Sequence, residues 1–406
     1  MNKALETLKE RGFFQQCTDV EALSRLMDQG PVTFYVGFDP TGPSLHIGHM
    51  LPAFALRHLR DAGHRGIALV GGGTARIGDP SGKTEMRKMI AYDQIDANAA
   101  SIRSQLDRFI GFDGKTALSE NNKDWLADLN YIDFLRDIGS HFSVNRMLTF
   151  EAYRKRMETG LSFVEFNYQL LQSYDFLKLN ERHGAALQIG GDDQWGNIVA
   201  GIELIRRVAG REAYGLTFPL VTTSDGKKMG KTEKGALFLD PAVTTPYDFF
   251  QYWRNVSDAD VRKFMLLFTF LPVAEVDALA GGDVNKAKER LAWEVTALIH
   301  GKDEADKALA GARAAFGGGG DRSSMPTVSI ERARLEAGIG VLDLFFEAGL
   351  AATKSEARRL VEQGGAAIGD RQVGDVKAVV GVADLDASGE IVLRAGKKKF
   401  VRVVAG

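Results

Sequence analysis

The stretch "TFYVGFDPTGPSLHIGHM" (residues 33–50) joins a short apolar run to a turn-rich loop that contains two histidines. The run at 33–38 consists of β-forming residues, which predicts a buried strand. A helical pattern follows at 49–63, with Pro52 early, where proline is tolerated in a first helical turn. Glycines then end a second apolar run, "GIALVGGG" (66–73). This order predicts a strand–helix–strand crossover in an α/β fold, with ligands bound at the carboxyl ends of parallel strands. Two later apolar runs, "AALQIGG" (185–191) and "LTFPLVTT" (216–223), predict two more strands.

The composition is that of an ordinary globular protein large enough for two or three domains. The 406 residues are 45% hydrophobic, and the net charge of -2 indicates no overall basic field for a nucleic acid. The single cysteine, Cys17, excludes an internal disulfide framework and a multi-cysteine zinc site. The N-terminal residues lack the apolar core of a secretion signal, and no run approaches the ~18 apolar residues of a membrane span. We therefore expect a cytoplasmic protein with no membrane partner.

Two segments end in Gly-Lys-Thr, as a Walker phosphate loop does. They are "GDPSGKT" (78–84) and "GKKMGKT" (226–232). A Walker loop needs four residues between its glycines, so that successive backbone N–H groups surround the phosphate. Both segments have three, with Ile77 and Asp225 where the first glycine should be. The spacing therefore argues against a P-loop kinase or GTPase.

His46 and His49 have three interpretations: metal ligands, packing residues or phosphate contacts. A zinc site needs further ligands in register, and neither an H-E-x-x-H pattern nor a second cysteine is present. The phosphate interpretation is favoured because the histidines lie where a strand ends and a helix begins, a position that attracts anions. Lys228 and Lys231, in "SDGKKMGKTE", form a second cationic group that suits the same anion.

Taken together, "HIGH" (46–49) and "KMGKT" (228–232) resemble the two signatures of class I aminoacyl-tRNA synthetases. Gly230 and Thr232 depart from the commoner form of the second signature, and Arg76 is less typical than a small or apolar residue. Four surrounding segments resemble the bacterial-type tyrosyl-tRNA synthetases, and the resemblance extends over essentially the whole chain: "YVGFDPTGPSLHIGH", "GGGTARIGDPSGKTEMR", "FNYQLLQSYDFL" and "LQIGGDDQWGNI".

The resemblance implies a Rossmann-like catalytic domain and a two-step reaction. The carboxylate of L-tyrosine attacks the α-phosphate of ATP to give tyrosyl-adenylate and pyrophosphate, and tyrosine then passes to tRNA-Tyr. Magnesium is expected to arrive with ATP, no protein ligand for a metal can be picked out, and no tightly bound organic cofactor is expected. The family is also homodimeric.

The resemblance further implies a set of site residues. The catalytic residues are Thr41, His46, His49, Lys228 and Lys231. The tyrosine-binding residues are Tyr35, Asp79, Tyr168, Gln172, Asp175, Gln188 and Gln194. The ATP-binding residues are Gly37, Asp39, Gly48, Lys83, Arg87, Gly191, Asp193 and Lys231. Within these sets, Tyr168, Gln172 and Asp175 are spaced i, i+4 and i+7, which places them on one face of a helix.

Three domains and a linker follow from these patterns and from the resemblance. They are a Rossmann-like catalytic domain with a helical insertion (1–235), a helical domain that binds the tRNA anticodon (236–316), a glycine-rich linker (317–337), and a small α+β domain (338–406). The last resembles an RNA-binding module shared with a ribosomal protein of the small subunit (S-four-like). Its predicted tRNA-binding residues are Lys354, Arg358, Arg359, Lys397, Lys398 and Lys399.

Three rival interpretations stay open on the sequence. A tryptophanyl-tRNA synthetase has the same fold, but normally lacks the C-terminal module and a Tyr and Asp pair for a phenol. A nucleotidyltransferase with an H-x-G-H loop is usually far shorter. A non-catalytic RNA-binding relative should have lost some of the signature histidines and lysines, and all are present.

Overall fold

The structure is a computed structural model that describes residues 1–81, 90–224, 226, 229, 231–232, 235–317, 325–386, 388–396 and 399–406. The chain divides into two compact units. The first contains Met1–Val243 and Ala259–Ala280, and the second contains Thr244–Asp258 and Gly281–Gly406. The division therefore assigns 259–280, part of the predicted helical domain, to the first unit. The domain limits given above otherwise stay predictions.

A six-stranded sheet forms the centre of the first unit. Its strands are β1 (Gln16–Cys17), β2 (Thr33–Phe38), β3 (Arg65–Val70), β4 (Ala117–Asn121), β5 (Ala185–Gly191) and β6 (Tyr214–Phe218). The strand order is β1-β6-β5-β2-β3-β4, and only β1 runs antiparallel to its neighbour. The predicted α/β fold with a parallel sheet is confirmed.

Strand β2 lies at the point where the order of the sheet reverses. The chain leaves β2 for β3 and β4 on one side, and returns to β5 and β6 on the other. Crevices form at such a point because the loops leave the carboxyl ends in opposite directions. In the ladder, Tyr35 of β2 pairs with Ile67 and with Gln188, so three strands place side chains below one crevice.

Two strands of this sheet were not predicted, and a third was misplaced. Strand β4 has one buried residue among five and is mostly polar, so it lacks the apolar run that reveals β2 and β5. Strand β1 has only two residues. The predicted strand at 216–223 is Tyr214–Phe218 instead, because Pro219 follows it and has no N–H group for a ladder.

Helices cover both the crossovers and the insertion in the first unit. They are Lys3–Glu10, Val20–Gln29, Met50–Asp61, Tyr92–Ile110, Lys123–Leu126, Tyr131–Asp137, Val144–Met147, Glu151–Thr159, Phe163–His183, Trp195–Val208, Val261–Phe268 and Val273–Ala280.

The long helix Phe163–His183 has clear local determinants. It begins at a capping box in which Ser162 and Glu165 exchange side-chain and backbone hydrogen bonds, and it ends at Gly184 with φ of 66°. Glu165 also forms a buried bidentate pair with Arg156, at 3.1 Å for both nitrogens. The start of the helix is therefore fixed, and with it the face that reaches the crevice.

The second unit contains a helical part and a small α+β part. Its helices are Pro246–Arg254, Val284–His300, Lys302–Gly317, Arg332–Ala337, Val341–Glu347 and Lys354–Glu362. A five-stranded sheet has the order Arg371–Gln372, Ala366–Ile368, Glu390–Ala395, Lys399–Ala405 and Thr327–Ile330. A two-stranded ladder pairs Ile339–Gly340 with Val379–Val380.

The predicted linker at 317–337 extends too far. Residues Thr327–Ile330 form a strand that runs parallel to Lys399–Ala405, and Arg332–Ala337 is a helix. Leu335 and Ile330 are buried in the core of this part of the unit. The strand has only four residues and its partner lies about 70 residues away in sequence, so local patterns do not reveal it.

Candidate active site

A cavity opens at the carboxyl ends of β2, β3 and β5. It encloses about 980 Å³, its open mouth included. Most of the predicted tyrosine-binding and ATP-binding residues line it together: Tyr35, Gly37, Asp39, Asp79, Tyr168, Gln172, Asp175, Gln188, Gly191, Asp193 and Gln194. Two of the predicted catalytic residues, Thr41 and His49, line it as well. The i, i+4, i+7 face of helix Phe163–His183 therefore does point into the site.

Four buried side chains form the bottom of the site, and we call them the Asp175 cluster. They are Tyr35, Asn122, Trp125 and Asp175. Asp175 is only 2% exposed. Asn122 Nδ2 donates a hydrogen bond to its Oδ2 at 2.9 Å, and Trp125 Nε1 donates to its Oδ1 at 2.7 Å. Two donors from separate positions thus fix both carboxyl oxygens of Asp175.

The burial of the Asp175 cluster changes its acid–base properties. Burial raises the pKa of Asp175 to about 8, although the hydrogen bonds from Asn122 and Trp125 oppose the rise. Burial also raises the pKa of Tyr35 well above its ordinary value, and the nearby Asp175 adds to the effect. A carboxyl group in this environment interacts strongly with any hydroxyl placed beside it.

Two buried polar atoms, one in the Asp175 cluster and one next to it, have no hydrogen-bond partner within the described part of the chain. They are the hydroxyl of Tyr35 and Oε1 of Gln188, which are neighbours across the β2–β5 ladder. Buried polar groups are nearly always paired, so an orphaned pair facing a cavity indicates a polar ligand group. A ligand that both donates and accepts a hydrogen bond suits this position.

Above the cluster, Asp39 is held by two side chains from different elements. Thr74 donates to its Oδ1 at 2.7 Å, and the hydroxyl of Tyr168 donates to its Oδ2 at 2.9 Å. Burial raises the pKa of Tyr168 well above its ordinary value, and the charge of Asp39 adds to the rise. Tyr168 therefore stays a neutral donor, and Asp39 is oriented by the helix Phe163–His183 and by the turn that follows β3.

A second set of hydrogen bonds joins Asp79 to the opposite wall of the cavity. Gln194 Nε2 donates to Asp79 Oδ2 at 2.8 Å. Asn197 Nδ2 donates to Oε1 of Gln172 at 3.0 Å and to Oε1 of Gln194 at 3.2 Å. These carboxylate and amide oxygens are acceptors, so this wall favours a ligand group with several N–H donors, such as an ammonium.

The residues 45–49, which we call the histidine loop, are organised by their own side chains. The N–H of Gly48 donates to Nδ1 of His46 at 3.1 Å, and the N–H of His46 donates to Nδ1 of His49 at 3.1 Å. The two rings are in contact, with centroids 3.9 Å apart and their planes tilted by 32°. Because each Nδ1 accepts a hydrogen bond, the neutral rings carry their protons on Nε2.

Gly48 is required by this arrangement. A Cβ at position 48 would lie 2.9 Å from Cε1 of His46, so the ring would have to move. Gly37, in contrast, has open space where a Cβ would be, and its role in leaving room for a ligand stays a prediction. The two predicted glycines thus differ in what an added side chain would meet.

The residues 225–234, which we call the lysine loop, are joined to the histidine loop by the segment that follows them. The N–H of Ile47 donates to the carbonyl of Leu237 at 3.0 Å, and the N–H of Leu239 donates to the carbonyl of Leu45 at 2.8 Å. Lys231–Thr232 pairs antiparallel with Gly235–Ala236 just before this contact. Lys231 therefore precedes by only a few residues the segment that is hydrogen-bonded to the histidine loop.

Some predicted residues lie elsewhere. Lys354, Arg358, Arg359 and Lys399 are exposed in the second unit, where Lys354 pairs with Asp343 at 2.5 Å. Five predicted residues lie outside the described residues: Lys83, Arg87, Lys228, Lys397 and Lys398.

Four residues of the site were missed by the sequence analysis: Thr74, Asn122, Trp125 and Asn197. Thr74 follows the glycines at the end of β3, and a rule that inspects every carboxyl strand end would have selected it. Asn122 and Trp125 follow β4, the strand that was not recognised. Asn197 is inside a helix, and no sequence signal separates it from an ordinary polar residue.

Within the described residues, no group of three or more His, Cys, Asp or Glu side chains is arranged to bind a metal ion. Likewise, no helix in the described part of the chain has the length and apolar character needed to cross a membrane.

Comparison with known families gives matches to both parts of the chain. Residues 27–317 match the model of class I tRNA synthetases for tryptophan and tyrosine, and residues 320–403 match a C-terminal domain of tyrosine–tRNA ligases. The tyrosine–tRNA ligase of Treponema denticola is 68% identical over 404 residues, covering 100% of both chains. The chain belongs to the tyrosyl-tRNA synthetase family.

Further matches agree with membership of this family. The tyrosine–tRNA ligase of Treponema pallidum is 63% identical, covering 100% of this chain and 99% of the other. Among solved structures, a C-terminally truncated mitochondrial tyrosyl-tRNA synthetase of Aspergillus nidulans matches with a TM-score of 0.69 and 31% identity, covering 76% of this chain and 93% of that one. The C-terminal match from residue 320 also includes the strand and helix that were predicted to be linker.

Proposed function

We propose that the protein is a tyrosine–tRNA ligase. It activates L-tyrosine with ATP to form tyrosyl-adenylate and pyrophosphate, and it transfers the tyrosyl group to the 3′-terminal adenosine of tRNA-Tyr. The observation that carries the proposal is the Asp175 cluster, in which a fixed carboxyl group lies near the orphaned hydroxyl of Tyr35 at the bottom of the cavity. The names of the relatives support the same activity.

The phenol of tyrosine lies between Tyr35 and Asp175. Asp175 already accepts hydrogen bonds from Asn122 and Trp125, and its remaining lone pairs accept the phenolic O–H. Phenylalanine lacks that hydroxyl and would leave the buried polar groups unpaired, which disfavours its binding. The cluster thus provides selection for tyrosine.

The ammonium group of tyrosine lies at the wall made by Asp79, Tyr168 and Gln172. Asp79 supplies a carboxylate that Gln194 holds in place, and Tyr168 and Gln172 supply oxygens on one helix face. Gln188 and Gln194 complete the tyrosine-binding set. With the phenol and the ammonium both held, the tyrosine carboxylate points to the mouth of the cavity, which fixes the attacking atom.

ATP lies with its phosphates between the histidine loop and the lysine loop. An oxygen of the tyrosine carboxylate forms a bond to the α-phosphorus, while the bond from the α-phosphorus to the pyrophosphate oxygen breaks. Nε2–H groups of His46 and His49 and the hydroxyl of Thr41 donate to phosphate oxygens. Lys228 and Lys231 neutralise the charge that develops on the leaving pyrophosphate.

The remaining ATP contacts complete the site. Lys83 and Arg87 add positive charge near the phosphates, and Asp39, Gly191 and Asp193 hold the ribose, with Gly37 and Gly48 allowing the backbone to approach. Magnesium arrives bound to the phosphates of ATP. The ion adds charge neutralisation to the phosphates.

Transfer RNA binding involves the second unit. Lys354, Arg358, Arg359, Lys397, Lys398 and Lys399 contact the phosphate backbone of tRNA-Tyr, and the helical part contacts the anticodon arm. The exposure of Arg358, Arg359 and Lys399 supports this assignment. The ligase works in the cytoplasm, where charged tRNA is used.

The ligase is a homodimer that forms through the helical insertion. Exposed large apolar side chains are concentrated between residues 131 and 164, and such a concentration favours a protein interface. They are Tyr131, Ile132, Leu135, Val144, Met157, Phe163 and Val164. Analytical ultracentrifugation should show a dimer, and Phe163→Asp should increase the monomer fraction.

Exchange of labelled pyrophosphate into ATP, measured with each of the twenty amino acids separately, tests the activity. We expect exchange with tyrosine and background rates with phenylalanine and tryptophan. Exchange with tryptophan alone, or with no amino acid, contradicts the proposal.

The tRNA contacts are tested by neutralising exposed cations. In the triple variant Arg358→Gln, Arg359→Gln and Lys399→Gln, the KM for tRNA-Tyr should rise about 10-fold, since backbone contacts depend on charge. Pyrophosphate exchange in the same variant serves as the control and should not change. An unchanged KM for tRNA contradicts the assigned RNA surface.

A further inference from the structure

The residues that precede the lysine loop and those that follow it are held by different kinds of contact. After the loop, two backbone hydrogen bonds join Leu237 and Leu239 to the histidine loop. Before the loop, the contacts come from side chains of the helix Val261–Phe268 and of the residue that precedes it. Only the second set depends on the identity of particular side chains.

Asp260 makes the main contact at this end. Its side chain lies in the interior, 3% exposed, and its Oδ2 accepts from the N–H of Ser224 at 2.9 Å and from the hydroxyl of Ser224 at 3.0 Å. One carboxylate oxygen therefore fixes both the backbone and the side chain of the residue immediately before the lysine loop. Hydrogen bonds to an ionised acceptor are stronger than neutral ones.

The position of Asp260 makes this use of its side chain unusual. Asp260 is the N-cap residue of Val261–Phe268, and an N-cap aspartate ordinarily accepts from N–H groups of its own helix. Here its side chain makes no capping hydrogen bond. The carboxylate accepts from Ser224 instead, so its hydrogen bonds stabilise the residue before the lysine loop and not the start of the helix.

A second side chain of the same helix supports the segment. Lys263 Nζ donates to the carbonyl of Thr222 at 2.8 Å. Within the segment, the N–H of Gly226 donates to the carbonyl of Thr223 at 2.9 Å, and the N–H of Met229 donates to the carbonyl of Val221 at 3.1 Å. Asp260 and Lys263 thus contact Ser224 and Thr222, which alternate along the segment with the two residues whose carbonyls accept from Gly226 and Met229.

We propose that Asp260, assisted by Lys263, is a positioning residue that fixes Ser224 and thereby anchors the start of the lysine loop. The inference rests on the proposed function, in which Lys228 and Lys231 act on the leaving pyrophosphate. A displacement of about 1 Å in such a group lowers the rate by up to ~10²-fold. Tyrosine binding is unaffected, because the Asp175 cluster is built from other elements.

The decisive variant is Asp260→Ala. We expect the single-turnover rate of tyrosyl-adenylate formation to fall about 10- to 100-fold, with a dissociation constant for tyrosine within about 2-fold of the parent. Asp260→Asn keeps an oxygen that can accept from Ser224, and it should recover most of the rate. Ser224→Ala, at an exposed position that does not endanger folding, should lower the rate about 2- to 5-fold.

Asp277→Ala is the matched control. Asp277 is an exposed carboxylate that accepts a hydrogen bond from Arg262 of the same helix at 2.7 Å, so its removal deletes a charge near that helix without touching the loop. Adenylate formation in this variant should equal that of the parent. A loss like that of Asp260→Ala would overturn the assignment of a specific contact.

Limited trypsin digestion gives a readout that does not depend on activity. The lysine loop contains Lys227, Lys228, Lys231 and Lys234. Cleavage at these residues, located by mass spectrometry, should be several-fold faster in Asp260→Ala than in the parent or in Asp277→Ala. Equal cleavage rates would overturn the inference, as would an unchanged adenylate rate or an equal loss of tyrosine binding.

The outcomes separate this inference from the proposed function. If the parent enzyme does not exchange pyrophosphate with tyrosine, the proposed function fails. If the parent is active and Asp260→Ala matches it in adenylate rate and in cleavage, only the positioning role fails.

Discussion

The Asp175 cluster and the histidine loop lie in the same unit but are built in opposite ways. The cluster is buried, and its hydrogen bonds join side chains about 50 residues apart in the chain. The histidine loop is partly exposed, and the hydrogen bonds to its two imidazole rings come from backbone N–H groups no more than three residues away. The cluster needs the whole fold to form, whereas the arrangement of the two rings is set within one short segment, although the backbone of that segment also pairs with Leu237 and Leu239.

The difference matches the task that each region has in the proposed reaction. Selection of a phenol needs a fixed carboxyl group that water does not reach. Water would compete for its hydrogen bonds, and it would also pair with the carboxyl group when phenylalanine is bound, which would remove the discrimination. Stabilisation of phosphate charge needs donors at the mouth, where a large anion enters and leaves. Substitutions in the cluster should therefore change amino-acid selection, and those in the loop should change the rate.

The largest effect is expected from Asp175→Ala. The variant removes the acceptor for the phenol and leaves the donors of Asn122 and Trp125 unpaired, so kcat/KM for tyrosine should fall about 10³-fold. The preference for tyrosine over phenylalanine, measured by pyrophosphate exchange, should fall as well. Asp128→Ala removes an exposed carboxylate and is the control. Unchanged discrimination in Asp175→Ala would show that the cluster does not select the amino acid.

Next in size is His49→Ala. Loss of one phosphate donor should lower the rate of adenylate formation about 10²-fold, while the dissociation constant for tyrosine stays within about 2-fold. His141→Ala, outside the loop, is the control and should leave both values unchanged. If tyrosine binding weakens as much as the rate, the two regions do not have separate tasks.

Gly48→Ala should have a smaller effect on the same step. The added Cβ would displace the ring of His46, which we expect to lower adenylate formation about 10-fold without altering the tyrosine dissociation constant. Gly42→Ala is a matched change in the same turn-rich region, where a Cβ would meet nothing within 4 Å. Equal rates for the two variants would remove the packing explanation for Gly48.

An effect of pH on stability, and not on rate, is expected from the Asp175 cluster alone. The pKa of Asp175 is about 8 in the folded protein and 3.8 ordinarily, so the folded state holds an extra proton between about pH 4 and pH 8. The free energy of unfolding therefore falls as pH rises through this range, by up to about 1.4 kcal/mol per pH unit. Denaturant unfolding of Asp175→Asn should show a flatter dependence. Parallel curves for the two proteins would indicate an ordinary pKa for Asp175.

The sequence predicted the parts of the fold that have local causes. Strand β2 at Thr33–Phe38 and strand β5 at Ala185–Gly191 have the predicted bounds, because uninterrupted apolar runs ended by turn residues identify buried parallel strands. Strand β4 and the strand Thr327–Ile330 were missed because they are short or polar and are defined by their partners. The family resemblance was confirmed, although it rested on motifs and not on periodicity.

By itself the sequence determined the crossover that starts the sheet, the histidine loop, and the helix face with Tyr168, Gln172 and Asp175. Each is indicated by a pattern within one short stretch of sequence, which is the range over which spacing and propensity act. Only the tertiary structure decided that Asn122 and Trp125 hold Asp175, and that Asp260 holds Ser224. Those contacts join elements that the chain brings together only when the core forms, so no local pattern contains them.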